Sequence, residues 1–173
     1  MFFVFLLPAL LTAAVAAGEN EVDMIETVEI HSPAFTHGGS IPSKYTCDGE
    51  DVNPPLTFKN IPLNARTLAL IVDDPDAPMG MWVHWVVWNI PAQTNAVQEN
   101  IIPPGAHQGK NDWGRNRYGG PCPPSGTHRY FFKLYALDTD LHLGTNTTKT
   151  DLEKAMQGHI AGSGNLMGTY KKR

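Results

Sequence analysis

Basic clusters, metal-ligand spacings and long polar linkers are all missing from this sequence. Lysine and arginine total 13 against 17 aspartates and glutamates, a formal net charge of −4, and no long basic run occurs. That argues against nucleic acid as the main partner, because phosphate backbones are bound by clustered positive surface. Only two cysteines are present, Cys47 and Cys122, and their separation matches no zinc motif. No serine or cysteine sits in a nucleophile motif beside a histidine, and no GKS or GKT follows the glycine-rich segments. Neither a nucleophilic hydrolase nor a phosphate-loop enzyme is indicated, and no metal or other cofactor is expected. With no internal repeat, low-complexity tract or dividing linker, a single domain is expected.

The amino terminus is a separate case. MFFVFLLPALLTAAVAAGEN is apolar, ends in the small-residue pattern Ala14-Val15-Ala16 and passes into polar GENEVD. It reads as a secretory signal peptide over residues 1–17, cleaved near Ala16 or Ala17. Residues 18–173 would then be the mature domain, periplasmic or secreted. No second stretch is apolar enough to span a membrane, so the mature chain is expected to have no transmembrane span. In an oxidising compartment Cys47 and Cys122 could form one disulfide, worth about 4 kcal/mol of loop entropy; two buried thiols is the alternative. NTT at Asn146 is a glycosylation sequon, relevant only in a host that glycosylates exported chains.

Sixteen glycines and 14 prolines, with few helix-period segments, favour many short strands and turns. Runs rich in Val, Ile, Trp, Tyr and Phe predict strands at Val28–Ile30, Leu68–Val72, Val83–Ile90, Arg129–Leu137 and Leu166–Lys171. In the second and third runs both alternating faces are apolar, which suits strands covered on both sides, as in a sandwich. Strict alternation over Trp82–Ile90 would place Trp82, His84, Val86, Trp88 and Ile90 on one face. Residues 33–58 and 101–127 are dense in Gly, Pro, Asn and Asp, and read as long functional loops. One helix is predicted from TDLEKAMQGHI, with Thr150 as N-cap, Glu153 completing a capping box, and Leu152, Ala155, Met156 and Ile160 as its apolar stripe.

Three segments carry candidate chemistry. In Asp73-Asp74-Pro75-Asp76-Ala77-Pro78 the prolines stiffen a strand exit, and the plainer reading is a turn whose aspartates accept local N–H groups. His84 lies within an apolar run, where a histidine is most often a satisfied core group. If Asp74 and His84 flank a short connection between adjacent strands, the carboxylate could orient that imidazole and raise its pKa. YGGPCPPSGTHRY couples glycines that permit close backbone approach to a strand carrying His128 and Tyr130 on one face. Such a loop is either a structural connection or a presenter of N–H groups to an anion.

DDPDAP followed by WVHW, then GKNDWGRNRYGGPCPPSGTHRYFFKLYALD, resembles the phosphatidylethanolamine-binding protein family, in particular its bacterial and archaeal Raf-kinase-inhibitor-like branch. YTCDGEDVNPPLTF matches the same branch, and the resemblance runs from about Ile25 to Tyr170. It implies a mainly β fold, an antiparallel sandwich of a large central sheet and a smaller one with one or few short helices. It also implies a small pocket for phosphate, acetate or a phosphoryl headgroup. By motif, the ligand-binding set is Asp74, His84, Gly120, Pro121, Cys122, Pro123, His128 and Tyr130, with imidazoles and phenol donating to the anion. Asp73 and Asp76 are left as turn-formers. The expected function is an exported, non-enzymatic binder of a small anion, with contact to a phospholipid headgroup as one form of it. The alternative is an inhibitor of a protease or kinase acting through the pocket rim; a hydrolase ranks lower.

Overall fold

A computed structural model describes residues 25–172; the signal-peptide reading of residues 1–17 lies outside the described residues. Nine strands and one helix follow in chain order. They are β1 (Glu26–Thr27), β2 (Glu29–His31), β3 (Leu56–Lys59), β4 (Thr67–Asp74), β5 (Trp82–Pro91), β6 (Ala96–Val97), β7 (His107–Gln108), β8 (Thr127–Leu137), α1 (Lys149–Met156) and β9 (Ile160–Lys171). A six-stranded sheet in the order β1-β9-β8-β4-β5-β7 packs against a three-stranded sheet, β2-β3-β6. The mainly β, two-sheet expectation holds, with one correction: the large sheet is mixed, because β1 runs parallel to β9. No hairpin dictates that direction. β1 and β9 stand at opposite ends of the described chain, so only tertiary packing orients their pairing.

All eight residues of β4 are buried. It is flanked by β5 and β8 and covered on both faces. Leu68, Leu70 and Val72 enter the core shared with the small sheet, together with Trp85, Val87, Phe132 and Leu134. Ala69 and Ile71 enter a second core with Val86, Trp88, Leu152 and Met156, which α1 closes. Removing an aliphatic or aromatic side chain of this kind from water is worth about 1.5–3 kcal/mol. The continuous apolar run Leu68–Val72 is therefore one strand serving two cores.

Several expectations are corrected in detail. The predicted strand at Val28–Ile30 is split around Val28, whose N–H binds Ser163 O. The stretches 33–58 and 101–127 contain β3 and β7 rather than loop alone. The helix begins two residues before the predicted register: Thr148 caps it, accepting Asp151 N–H, while the Asp151 carboxylate accepts Thr148 N–H. Thr148/Asp151 and Thr150/Glu153 are both box-like pairs, and the earlier one wins while Leu152 and Met156 face the sheet. Gly158, at φ +78°, turns the chain after the helix, so Ile160 belongs to β9 and not to the helical stripe.

Alternation along β5 also fails. Val72 pairs with Trp85 but Asp73 pairs with Val83, so His84 is an extra residue in that strand; a second irregularity separates Leu68 from Leu70. A bulge puts neighbouring residues on one side. His84 consequently points with Trp85 toward the Tyr130 side, opposite Val86 and Trp88.

Candidate functional site

The antiparallel order β8-β4-β5 brings the end of β4 beside the starts of β5 and β8. Asp74, His84 and His128 thereby reach one cavity of about 360 Å³. That volume lies within the range of small-molecule sites. Ala77, Pro78 and Met79 of the β4–β5 connection form one wall, Cys122, Pro123 and Pro124 the opposite one, and Trp82 and Trp113 complete it. A wider, more open groove of about 550 Å³ beside β2 and β9 includes Lys133, but that cation is committed to Asp73.

Asp74 is 3% exposed and both its oxygens are engaged. Oδ1 accepts Asp76 N–H at 2.8 Å, closing the turn, and Oδ2 accepts from His128 Nδ1 at 2.8 Å. The imidazole that Asp74 orients is thus His128, not His84. His84 Nδ1 instead lies 2.6 Å from Gly119 O, and Gly119 N–H returns a bond to His84 O at 3.0 Å. A carbonyl can only accept, so His84 carries its proton on Nδ1. Burial pushes the His84 pKa below its ordinary value; the Gly119 carbonyl and the fields of Asp74, Asp112 and Asp73 oppose this less strongly. Among the described residues neither Nε2 has a hydrogen-bond partner, and both rings line the cavity.

Of the remaining predicted residues, Cys122 and Pro123 line the cavity, while Gly120, Pro121 and Tyr130 do not. Gly120 N–H is taken by Asp51 Oδ1 at 2.6 Å. A Cβ on Gly120 would stand 2.5 Å from Tyr45 O, so this glycine allows a close approach to the 43–49 segment, not to a ligand. Pro121 O accepts Cys47 N–H, and Cys47 and Cys122 are joined in a disulfide with Cα atoms 5.4 Å apart. Tyr130 stands behind His84, edge to face with ring centroids 5.2 Å apart. Its hydroxyl is buried on the Asp74 side; desolvation, the Asp74 charge and a weak hydrogen bond toward that carboxylate push its ionisation far upward, keeping it a neutral phenol.

Asp73 and Asp76 are more than turn-formers. Asp73 turns to the α1 side, where Lys133 Nζ lies 2.7 Å and Lys149 Nζ 3.8 Å from its Oδ2. Asp76 takes a two-pronged bond from Arg129, and that guanidinium holds its pKa down to about 2. Sequence reasoning took Gly119 only as a glycine permitting close backbone approach, not as the partner of His84, and it missed Trp113. Trp113 packs edge-on to His84 and to Trp82, with centroids 5.1 and 5.3 Å away. Buried Asn111 sets that loop: its Oδ1 accepts the N–H groups of Trp113 and Arg115, and its amide donates to Arg117 O. The run Lys110–Gly120, dense in Asn, Asp and Gly, was the available signal for such a side-chain-closed turn. Among the described residues no group of three or more His, Cys, Asp or Glu side chains is arranged to hold a metal ion.

A family model described as phosphatidylethanolamine-binding protein matches residues 31–171. A UPF0098 protein of Methanothermobacter thermautotrophicus is 49% identical over 150 residues, 84% of this chain and 99% of its own. One from Pyrococcus abyssi is 48% identical over 157 residues, 86% of this chain and 87% of its own. Among solved structures, a phosphatidylethanolamine-binding protein homologue of Chlamydia trachomatis superposes with a TM-score of 0.82 at 42% identity, covering 86% of this chain and 99% of that one. Escherichia coli YbcL, described as a new member of the mammalian PEBP family, gives 0.80 at 28% identity, covering 84% and 99%.

Proposed function

The chain belongs to the phosphatidylethanolamine-binding protein family, and on that premise we propose that it is an exported, non-enzymatic binder of a small anion such as phosphate or a phosphoryl headgroup. The observation that carries this reading is the pair of pinned imidazoles, His84 and His128, whose second nitrogens line one cavity. The apolar walls around them exclude water and strengthen each polar contact made at the floor. Binding is favoured over turnover because, among the described residues, no hydroxyl or free thiol lines the cavity: the cysteine there, Cys122, is oxidised. Export is supported by the small-residue pattern after the apolar leader, and the disulfide agrees with an oxidising compartment.

Calorimetry with phosphate and phosphorylethanolamine tests the reading. Both are expected to bind, and His84→Ala is expected to weaken binding at least about tenfold, the loss of one hydrogen bond to a charged group. Assays with p-nitrophenyl phosphate are expected to show no turnover. Absence of heat for both anions, or an unchanged constant in His84→Ala, sinks the proposal.

One observation favours the second reading, an inhibitor that docks through the rim. Met79 is 92% and Trp113 39% exposed, and both line the cavity mouth. Exposed large apolar side chains grouped at a pocket edge suit a protein partner. For an exported chain a protease is the better candidate than a cytosolic kinase. Inhibition of a defined protease that Met79→Glu abolishes is the outcome that favours it.

A further inference from the structure

We propose that the cavity selects oxyanions that still carry a proton, taking phosphate and phosphate monoesters ahead of sulfate and phosphodiesters; this rests on the anion-pocket reading above. The argument begins with what the cavity does not offer. Among the described residues no lysine or arginine lines it. Lys133 and Lys149 are engaged with Asp73, and Arg129 with Asp76, while Arg115 lies in the adjoining cavity that shares Trp113 and Cys122 with this one. A bare anion would therefore meet no lysine or arginine in the lining.

The hydrogen-bonding character of the floor sharpens this. Gly119 O and the Asp74 carboxylate face the Nδ1 atoms of His84 and His128, and both can only accept. Whenever either ring is neutral its Nδ1 carries the hydrogen and its Nε2 presents a lone pair to the cavity, and burial favours that form for His84. Around the rings β4 contributes the charges of Asp73 and Asp74, and its following turn contributes Asp76. The 112–113 loop adds Asp112, and β8 adds Arg129, already clamped, and the neutral phenol of Tyr130. From β9, Tyr170 faces His128 in register and donates its hydroxyl to Asp48. The surroundings are predominantly anionic.

A lone pair opposed to an unprotonated oxyanion is repulsive; opposed to a P–OH it accepts a hydrogen bond. A phosphate monoester retains its second proton up to a pKa of about 6 and so can supply that donor at about pH 6 and below. Sulfate and phosphodiesters have no such proton. At His84 they meet a donor only when solvent protonates the ring, which burial disfavours. No covalent step is involved. One proton is shared between ligand oxygen and Nε2, or is drawn from buffer.

The test is calorimetry of the full-length protein with phosphate, sulfate, phosphorylethanolamine and glycerophosphorylethanolamine. Titrations run from pH 5.5 to 8.5, each in two buffers of different ionisation enthalpy. At pH 6 sulfate and the diester are expected to bind at least about tenfold more weakly than phosphate and the monoester. Their affinity should fall about tenfold per pH unit, with close to one proton taken up from buffer per ion bound. His84→Gln, whose amide donates without titrating, is expected to bring sulfate and phosphate together and to flatten the sulfate profile. Equal affinities at pH 6, or a flat profile for sulfate in the wild-type protein, overturn the selectivity while leaving anion binding standing. Failure of all four ligands at every pH overturns the parent reading and this one with it. Monoester binding with the diester silent assigns the site to free phosphate compounds; equal binding of the two headgroup compounds assigns it to lipid and refutes the proton requirement.

Discussion

His84 is the residue on which the site turns, and its environment sets a sign for the pH dependence of stability. Burial lowers its folded-state pKa below the unfolded value, so the unfolded chain binds this proton first as pH falls. The stabilising contribution is complete above the unfolded value of about 6.5 and is lost as pH drops below it. In anion-free buffer the wild-type melting temperature is expected to fall more steeply between pH 7 and pH 5 than that of His84→Gln. Parallel slopes would mean that the imidazole is not held neutral. The identities of Asp74, His84 and His128 were legible, because a carboxylate or imidazole beside an apolar run calls for a partner. The partners themselves were not. Asp74 meets His128 across 54 residues and His84 meets Gly119 across 35, distances over which local spacing carries no information.

At the scale of elements, the long strands were readable from composition and the helix from its apolar spacing and a cap-like start, but the short strands β3, β6 and β7, the true cap and the registers were not. The extra residue in β5 changes which face His84 occupies, and an alternating pattern of apolar residues on both faces cannot reveal it. The helix illustrates the same limit, since two threonine–acid pairs compete for its start. Thr148→Ala is expected to cost about 1 kcal/mol in chemical denaturation, the usual value of an N-cap. Thr150→Ala, at an exposed position inside the first turn, should cost under about 0.5 kcal/mol. A reversed order would restore the later register.

At the scale of the whole molecule, the Cys47–Cys122 disulfide ties the wall of the cavity to the segment around residue 47, across a separation of 75 residues. Three further bonds pin the same junction: Cys47 N–H to Pro121 O, Gly120 N–H to Asp51, and the Tyr118 hydroxyl to Tyr45 O. Replacing both cysteines by serine is expected to lower unfolding free energy by about 4 kcal/mol, through the freed loop of the unfolded chain. Because the wall loses its anchor, anion affinity should weaken as well. Loss of stability with unchanged affinity would confine the disulfide to a stabilising role.

Hydrophobic runs, turn residues and caps act over a few neighbouring residues, and they alone determined that the chain is a β protein with one short helix and a carboxylate-rich strand exit. The motifs of that exit and of the glycine-proline loop were likewise enough to indicate the family. The tertiary structure decided which histidine Asp74 holds, that Gly120 faces the 43–49 segment instead of the cavity, and that Tyr130 stands behind the floor. It also decided that β1 runs parallel to β9. Each of these depends on where distant segments come to lie, and on a bulge that moves one side chain across a sheet. The stretch Asp73–Asp76 shows the division within four residues: its turn was written locally, and its three carboxylates were sent to three different partners by the fold.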